Sequence, residues 1–214
     1  MAFSYVGNFP NQQVSNSGVL SLDDINNLES TGELGGSLEL IQSQSVSGVS
    51  QVDFTSIKQT KYDVHYVQLI SMETSSTGHP QASKMQLRFS NDGGSTYESG
   101  ASAYSWANQY VATGGGNGES KDSADTSIEW TPRCNNGEPT SAYMYLYNLG
   151  NSSKYSFTTS HTTINIDQAE FFFGGGVYST AETINAMRFY NDYAMTGTIQ
   201  LFGVKQILSL IHIS

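Results

Sequence analysis

The sequence predicts an all-β protein: an antiparallel β-sandwich, jelly-roll-like in strand number, preceded by one short helix. Three observations carry this. Lys84–Ser90 alternates, with Met85, Leu87 and Phe89 on one side and Lys84, Gln86, Arg88 and Ser90 on the other, the period of a strand with one buried and one wet face. Many similar runs follow at short spacing, separated by Gly, Asn, Ser or Pro. The polarity comes from Ser, Thr, Asn, Gly and Tyr, because only 13% of the residues are charged. A hairpin with an apolar inner face needs a second layer to cover it.

Residues 1–20 have no period and are read as irregular. Ser21 is placed as the N-cap of a short helix, with Asp24 at the capping-box position and Leu20 and Ile25 as a hydrophobic staple. Leu22, Ile25 and Leu28 share one face of it. A helix of about ten residues is marginal alone, so that stripe must dock, either over one end of the sheet or on another subunit. Residues 1–36 are therefore read as an anchor or assembly region that ends at the hinge Gly35-Gly36.

Residues 37–206 are the sandwich domain. Strands are expected at 37–42, 46–54, 62–71, 83–90, 104–112, 126–131, 142–149, 154–163, 170–173, 184–190 and 198–205. Ser95-Thr96-Tyr97 should return as a strand after the turn Asn91-Asp92-Gly93-Gly94. Thr113–Asp122 and Cys134–Pro139 are read as exposed loops. No repeat period is visible, which argues against a propeller or solenoid. The final apolar stretch, 207–214, follows a natural end for a sandwich with no turn before it. It resembles translated read-through of sequencing adaptors and is read as a non-native tail.

Composition narrows the function classes. The net charge is −10 and no basic run occurs, so a phosphate backbone would be repelled and no nucleic-acid partner is expected. No apolar run reaches the roughly 18 residues of a membrane helix, and no membrane partner is expected. The first residues lack both the basic and the apolar regions of a signal peptide, so synthesis in a cytoplasm is expected. Cys134 is the single cysteine, and no Cys-His signature surrounds it. The four histidines are scattered, with no metal-ligand spacing, and His65 reads as an outward residue of its strand. Loop acids hold Ca²⁺ in many sandwiches, but no metal or other cofactor is assigned here. The Gly114-Gly115-Gly116 loop has no Lys-Ser/Thr pair after it, so a phosphate-binding loop is not supported.

Two motifs remain. Ser90, Asp92, Gly94 and Thr96 resemble an Asp box, the Ser-x-Asp-x-Gly-x-Thr-Trp turn of sialidase-like propellers, with Tyr97 in place of the Trp. In those families the box is structural and usually repeated. A single copy implies a turn and gives no support for sugar hydrolysis. A glycosidase would need two carboxylates facing one cleft, and the sequence pairs none. In Ala142–Tyr147, Tyr143, Tyr145 and Tyr147 share one face, and Ala142, Met144 and Leu146 the other. Either the tyrosines pack into a second layer, or they are exposed as a ligand or interface surface. Phe171-Phe172-Phe173 cannot all point inward.

Several segments together are similar to structural proteins of marine tailed-phage virions, of the tail-fibre or head-decoration kind. They are Gly18–Ile25, Val52–Ile57, Tyr62–Tyr66, Leu87–Gly94, Ile184–Phe189 and Gly197–Lys205. The resemblance spans roughly residues 18–205. It implies a non-enzymatic virion component, with other virion proteins or further copies of itself as partners and a host-surface glycan as an additional ligand. It carries no catalytic residues onto this chain. A lectin-like carbohydrate-binding sandwich is the alternative.

Overall fold

The computed structural model describes residue 23 and residues 37–77, 84–131, 134–166 and 168–205. The chain divides into two units, Met1–Gly36 and Ser37–Ser214. The expected helix face Leu22, Ile25 and Leu28 and the expected tail 207–214 lie outside the described residues.

The second unit is all-β. Its strands are β1 (Leu38–Phe54), β2 (Val64–Thr74), β3 (Met85–Ser90), β4 (Tyr104–Ala112), β5 (Asn117–Asp125), β6 (Ile128–Thr131), β7 (Thr140–Tyr147), β8 (Ser156–Ile166), β9 (Gln168–Tyr178) and β10 (Ala186–Val204). Every pairing between them is antiparallel. The order is β5-β4-β9-β8-β7-β2-β10-β3-β6, with β1 beside β10. The result is one sheet bent nearly into a barrel.

Strand β10 is where the sheet forks. β1 follows one edge of it, from Phe54↔Met187 to Leu38↔Val204. The other edge is shared, with β3 on Ala186–Tyr190 and β2 on Met195–Gly203. Register shifts near Ser47, Val49 and Gln51 bend β1 at the same level, as bulges do. The bend brings Gln44 Nε2 to the Asp53 carbonyl, 2.7 Å away.

Beyond the fork, β6 comes back beside β9 and β4. Its approach depends on missing side chains. A Cβ on Gly176 of β9 would lie 2.8 Å from Ile128 Cγ2 of β6. A Cβ on Gly174 would run into the Ala107 carbonyl and Asn108. Asn108 instead fills that space and donates to the Glu129 carbonyl of β6 at 3.2 Å. Glu129 is itself nearly buried, and Lys84 Nζ reaches its Oε2 at 2.7 Å. Burial pushes the Glu129 carboxyl pKa up, and the bond from Lys84 opposes that shift.

Most of the interior is one apolar cluster with side chains from β1, β2, β3, β4, β6, β7, β9 and β10, and Ile164 and Phe172 form a second, small one. Met85, Leu87 and Phe89 are fully buried in the larger cluster, as the alternation predicts. Phe189 meets Trp130 at 5.5 Å and Phe54 at 5.9 Å, and Tyr104 meets Tyr178 at 5.1 Å.

Several expected elements differ in extent. The runs at 37–42 and 46–54 are a single strand, β1, and those at 184–190 and 198–205 are a single strand, β10. Polar residues at the bend interrupt their pattern without ending the ladder. β9 continues through Gly174-Gly175-Gly176, because the closing seam requires glycine there. The expected loop at 113–122 contains most of β5. Its charged residues have no alternation because the strand is largely exposed, and such charge guards an edge. Ser95-Thr96-Tyr97 does not return as a strand, because β10 and β6 occupy both edges of β3. His65 is fully buried rather than outward, and its Nε2–H donates to the Ile57 carbonyl at 2.7 Å. Tyr66 takes the outward position. Apolar residues on both sides of β2 leave its phase ambiguous from sequence alone. Burial pushes the His65 imidazole pKa down.

Candidate functional site

The alternation of β7 settles the placement of its tyrosines. Ala142, Met144 and Leu146 enter the core, so Tyr143, Tyr145 and Tyr147 take the outer face, where Tyr143 is 37% exposed. The strand neighbours extend this row. Tyr66 of β2 pairs with Tyr145, and Phe202 of β10 pairs with Tyr66. The ring centroids lie 5.1 Å apart for Tyr66 and Tyr145 and 5.9 Å apart for Tyr66 and Phe202. Leu40 of β1 pairs with Phe202 and is half exposed. On the β8 side His161 stacks on Tyr143 at 5.2 Å, with the rings within 8° of parallel. Burial pushes the Tyr66 hydroxyl pKa up, and the neighbouring Tyr145 and Tyr143 add to the shift.

Sequence reasoning found the three tyrosines and missed Tyr66, Phe202 and Leu40. Their signal was present in the alternation of β2 and β10. It could be used only once those strands were known to be neighbours of β7.

Further round the same outer face lies a shallow depression of about 790 Å³ over β8, β9, β4 and β5. Phe172 is buried, whereas Phe171 and Phe173 are exposed, as the triple phenylalanine requires. Phe157 and Val177 stand on one side of the depression, and Gly175 and Ala107 form its floor. Phe173 and Gln109 line an adjoining hollow.

Ser90, Asp92, Gly94 and Thr96 form a turn bonded to itself. Asp92 Oδ2 accepts from the Thr96 hydroxyl at 2.6 Å, and Oδ1 accepts from the Thr96 N–H at 2.9 Å and the Ser90 hydroxyl at 2.7 Å. Gly94 N–H donates to Ser90 Oγ at 2.9 Å. The Thr96 hydroxyl and N–H and the Ser90 hydroxyl hold the Asp92 carboxyl down at about 2. Tyr97 anchors the chain as it leaves the turn. Its ring lies 4.0 Å from the Arg188 guanidinium, which makes two 2.7 Å bonds to Asp53 across β10 and β1.

Beside this turn is a pocket of about 280 Å³ whose lining includes Glu98 and Glu182. Both carboxylates hold structure together. Glu98 accepts from the Gly100 N–H at 2.6 Å; Glu182 accepts from the Tyr178 hydroxyl and the Asn91 amide, each at 2.7 Å. Cys134 is buried, and no group of three metal-ligating side chains occurs among the described residues. No protein-family model matches the chain, and no curated protein matches it.

Proposed function

We propose that this chain is a non-enzymatic structural protein of a phage particle, a tail-fibre or head-decoration component, located in the virion. It works by protein–protein assembly, with other virion proteins or further copies of itself as partners. The observation that carries this reading is the outer row Leu40–Phe202–Tyr66–Tyr145 with Tyr143 beside it. These side chains are adjacent, ordered by ring contacts and still accessible. Amphipathic rings held rigidly in this way are favoured at interfaces, because they bury much area at little entropic cost. The strand-pattern resemblance to phage virion proteins supports the same reading. The jelly-roll-like sandwich grouping belongs to this proposal as its finer fold reading, alongside the single antiparallel sheet bent nearly into a barrel.

Light scattering coupled to gel filtration tests the proposal. The expected result is a concentration-dependent oligomer that the double substitution Tyr143→Ser/Tyr145→Ser dissociates without changing Tm by more than a few degrees. A wild-type monomer at every concentration, with no association to its partner virion proteins, would overturn it.

The outward placement of Tyr143, Tyr145 and Tyr147 also favours a second reading, a lectin-like carbohydrate-binding module.

A further inference from the structure

The lateral register of four strands builds a trough that no single strand reveals. One row across the outer face reads Thr159 (β8), Gly175 (β9), Ala107 (β4) and Lys121 (β5), each paired with the next. Its centre carries no side chain larger than a methyl. The row on one side reads Phe157, Val177 and Ser105; the row on the other reads His161, Phe173, Gln109 and Glu119. Phe157 and Phe173 are 44% and 43% exposed. They flank the floor about 13 Å apart, the rise of the four residues from Phe173 to Val177. At the β5 end, Lys121, Asp122 and Ser123 close the trough with donors and acceptors.

We infer that this trough is a site for a neutral oligosaccharide lying across strands β8, β9, β4 and β5. This rests on the carbohydrate-binding reading and gives it a location and a ligand class. A strand-adding peptide is disfavoured on the floor of the trough, because such peptides need free backbone groups and the ladders on both sides of β9 and β4 use them; β5, which ends the strand order, is outside that argument. An anionic ligand is disfavoured because the chain carries −10 and Lys121 is already bonded to Glu119 at 2.6 Å. A sugar offers what the walls ask for: an apolar ring face toward each phenylalanine and hydroxyls toward Lys121, Asp122, Ser123 and Gln109.

The test titrates the intact chain with maltohexaose, cellohexaose, chitohexaose and mannohexaose, using sialyllactose as the anionic comparison. Binding is read by calorimetry. At least one neutral oligosaccharide is expected to bind and sialyllactose to bind more weakly. Ala107→Leu, which fills the floor, and Phe173→Ala, which removes a wall, should each weaken binding about tenfold with Tm preserved. Because Ala107 and Phe173 are both exposed, folded variants are expected, and Phe157→Ala gives an independent third. Binding that all three variants leave unchanged would overturn the trough and leave the carbohydrate reading standing. Silence across the neutral panel, or a preference for sialyllactose, would overturn both. Neither result bears on assembly.

Discussion

The molecule holds two aromatic groups that look alike as ring geometry and differ in everything else. Inside, Phe54, Phe189 and Trp130 meet at centroid distances of 5.5–5.9 Å. Outside, Tyr66, Tyr145 and Phe202 meet at 5.1–5.9 Å. The inner rings are sealed from water and touch neighbours on all sides; the outer rings keep one side wet. Ring contacts of this kind add only about 0.5–1.5 kcal/mol each beyond burial. The difference in stability between the two groups must therefore come from burial and cavity terms. The outer rings retain apolar area that another molecule can cover.

The comparison breaks most sharply at Phe189. Phe189→Ala should cost about 3–5 kcal/mol, the range for opening a cavity of that size in a packed core, measured by urea denaturation. The outer Tyr143→Ser/Tyr145→Ser protein should unfold close to the wild type while losing association. Equal losses at the two places would mean that the outer rings are part of the fold rather than an interface.

The seam where β6 meets β9 and β4 gives the next largest effect. Gly174→Val should cost about 1–3 kcal/mol, because its Cβ would strike the Ala107 carbonyl and displace Asn108 from the Glu129 carbonyl. Amide exchange should show β6 opening before β2 and β7. A neutral outcome would show that β6 can close on β9 and β4 without the bare backbone.

The smallest effect belongs to the turn. The folded Asp92 carboxyl sits at about 2, below its usual value, so its contribution is present above the usual carboxylate range. It is lost as pH falls through about 2. The stability gap between wild type and Asp92→Asn should thus be full at neutral pH and narrow on acidification between those limits. A gap that widened in acid would contradict the bonding seen around Asp92.

Much of this molecule was legible in the chain. The alternation in β3 assigned Met85, Leu87 and Phe89 to the interior; in β7 it separated Tyr143, Tyr145 and Tyr147 from Ala142, Met144 and Leu146, and burial in the structure decided that the tyrosines face out. Ser90, Asp92, Gly94 and Thr96 were readable because every partner lies within four residues. Strands with two wet faces, such as β5, left no apolar period to find. Strands with two apolar faces, such as β2, hid which way His65 and Tyr66 pointed.

By itself the sequence determined what acts locally: strand period, turn chemistry, a charge hostile to polyanions, and at least one outward phenylalanine in Phe171-Phe172-Phe173. Only the tertiary structure decided that β10 serves two partners on one edge, that Gly174 and Gly176 admit β6, and that Tyr66, Phe202 and Tyr145 form one row. Ladder pairing joins residues more than a hundred positions apart, and backbone hydrogen bonds are chemically the same between any two strands. Neighbour choice is therefore set by how the whole barrel fills its interior, which no local stretch of sequence encodes.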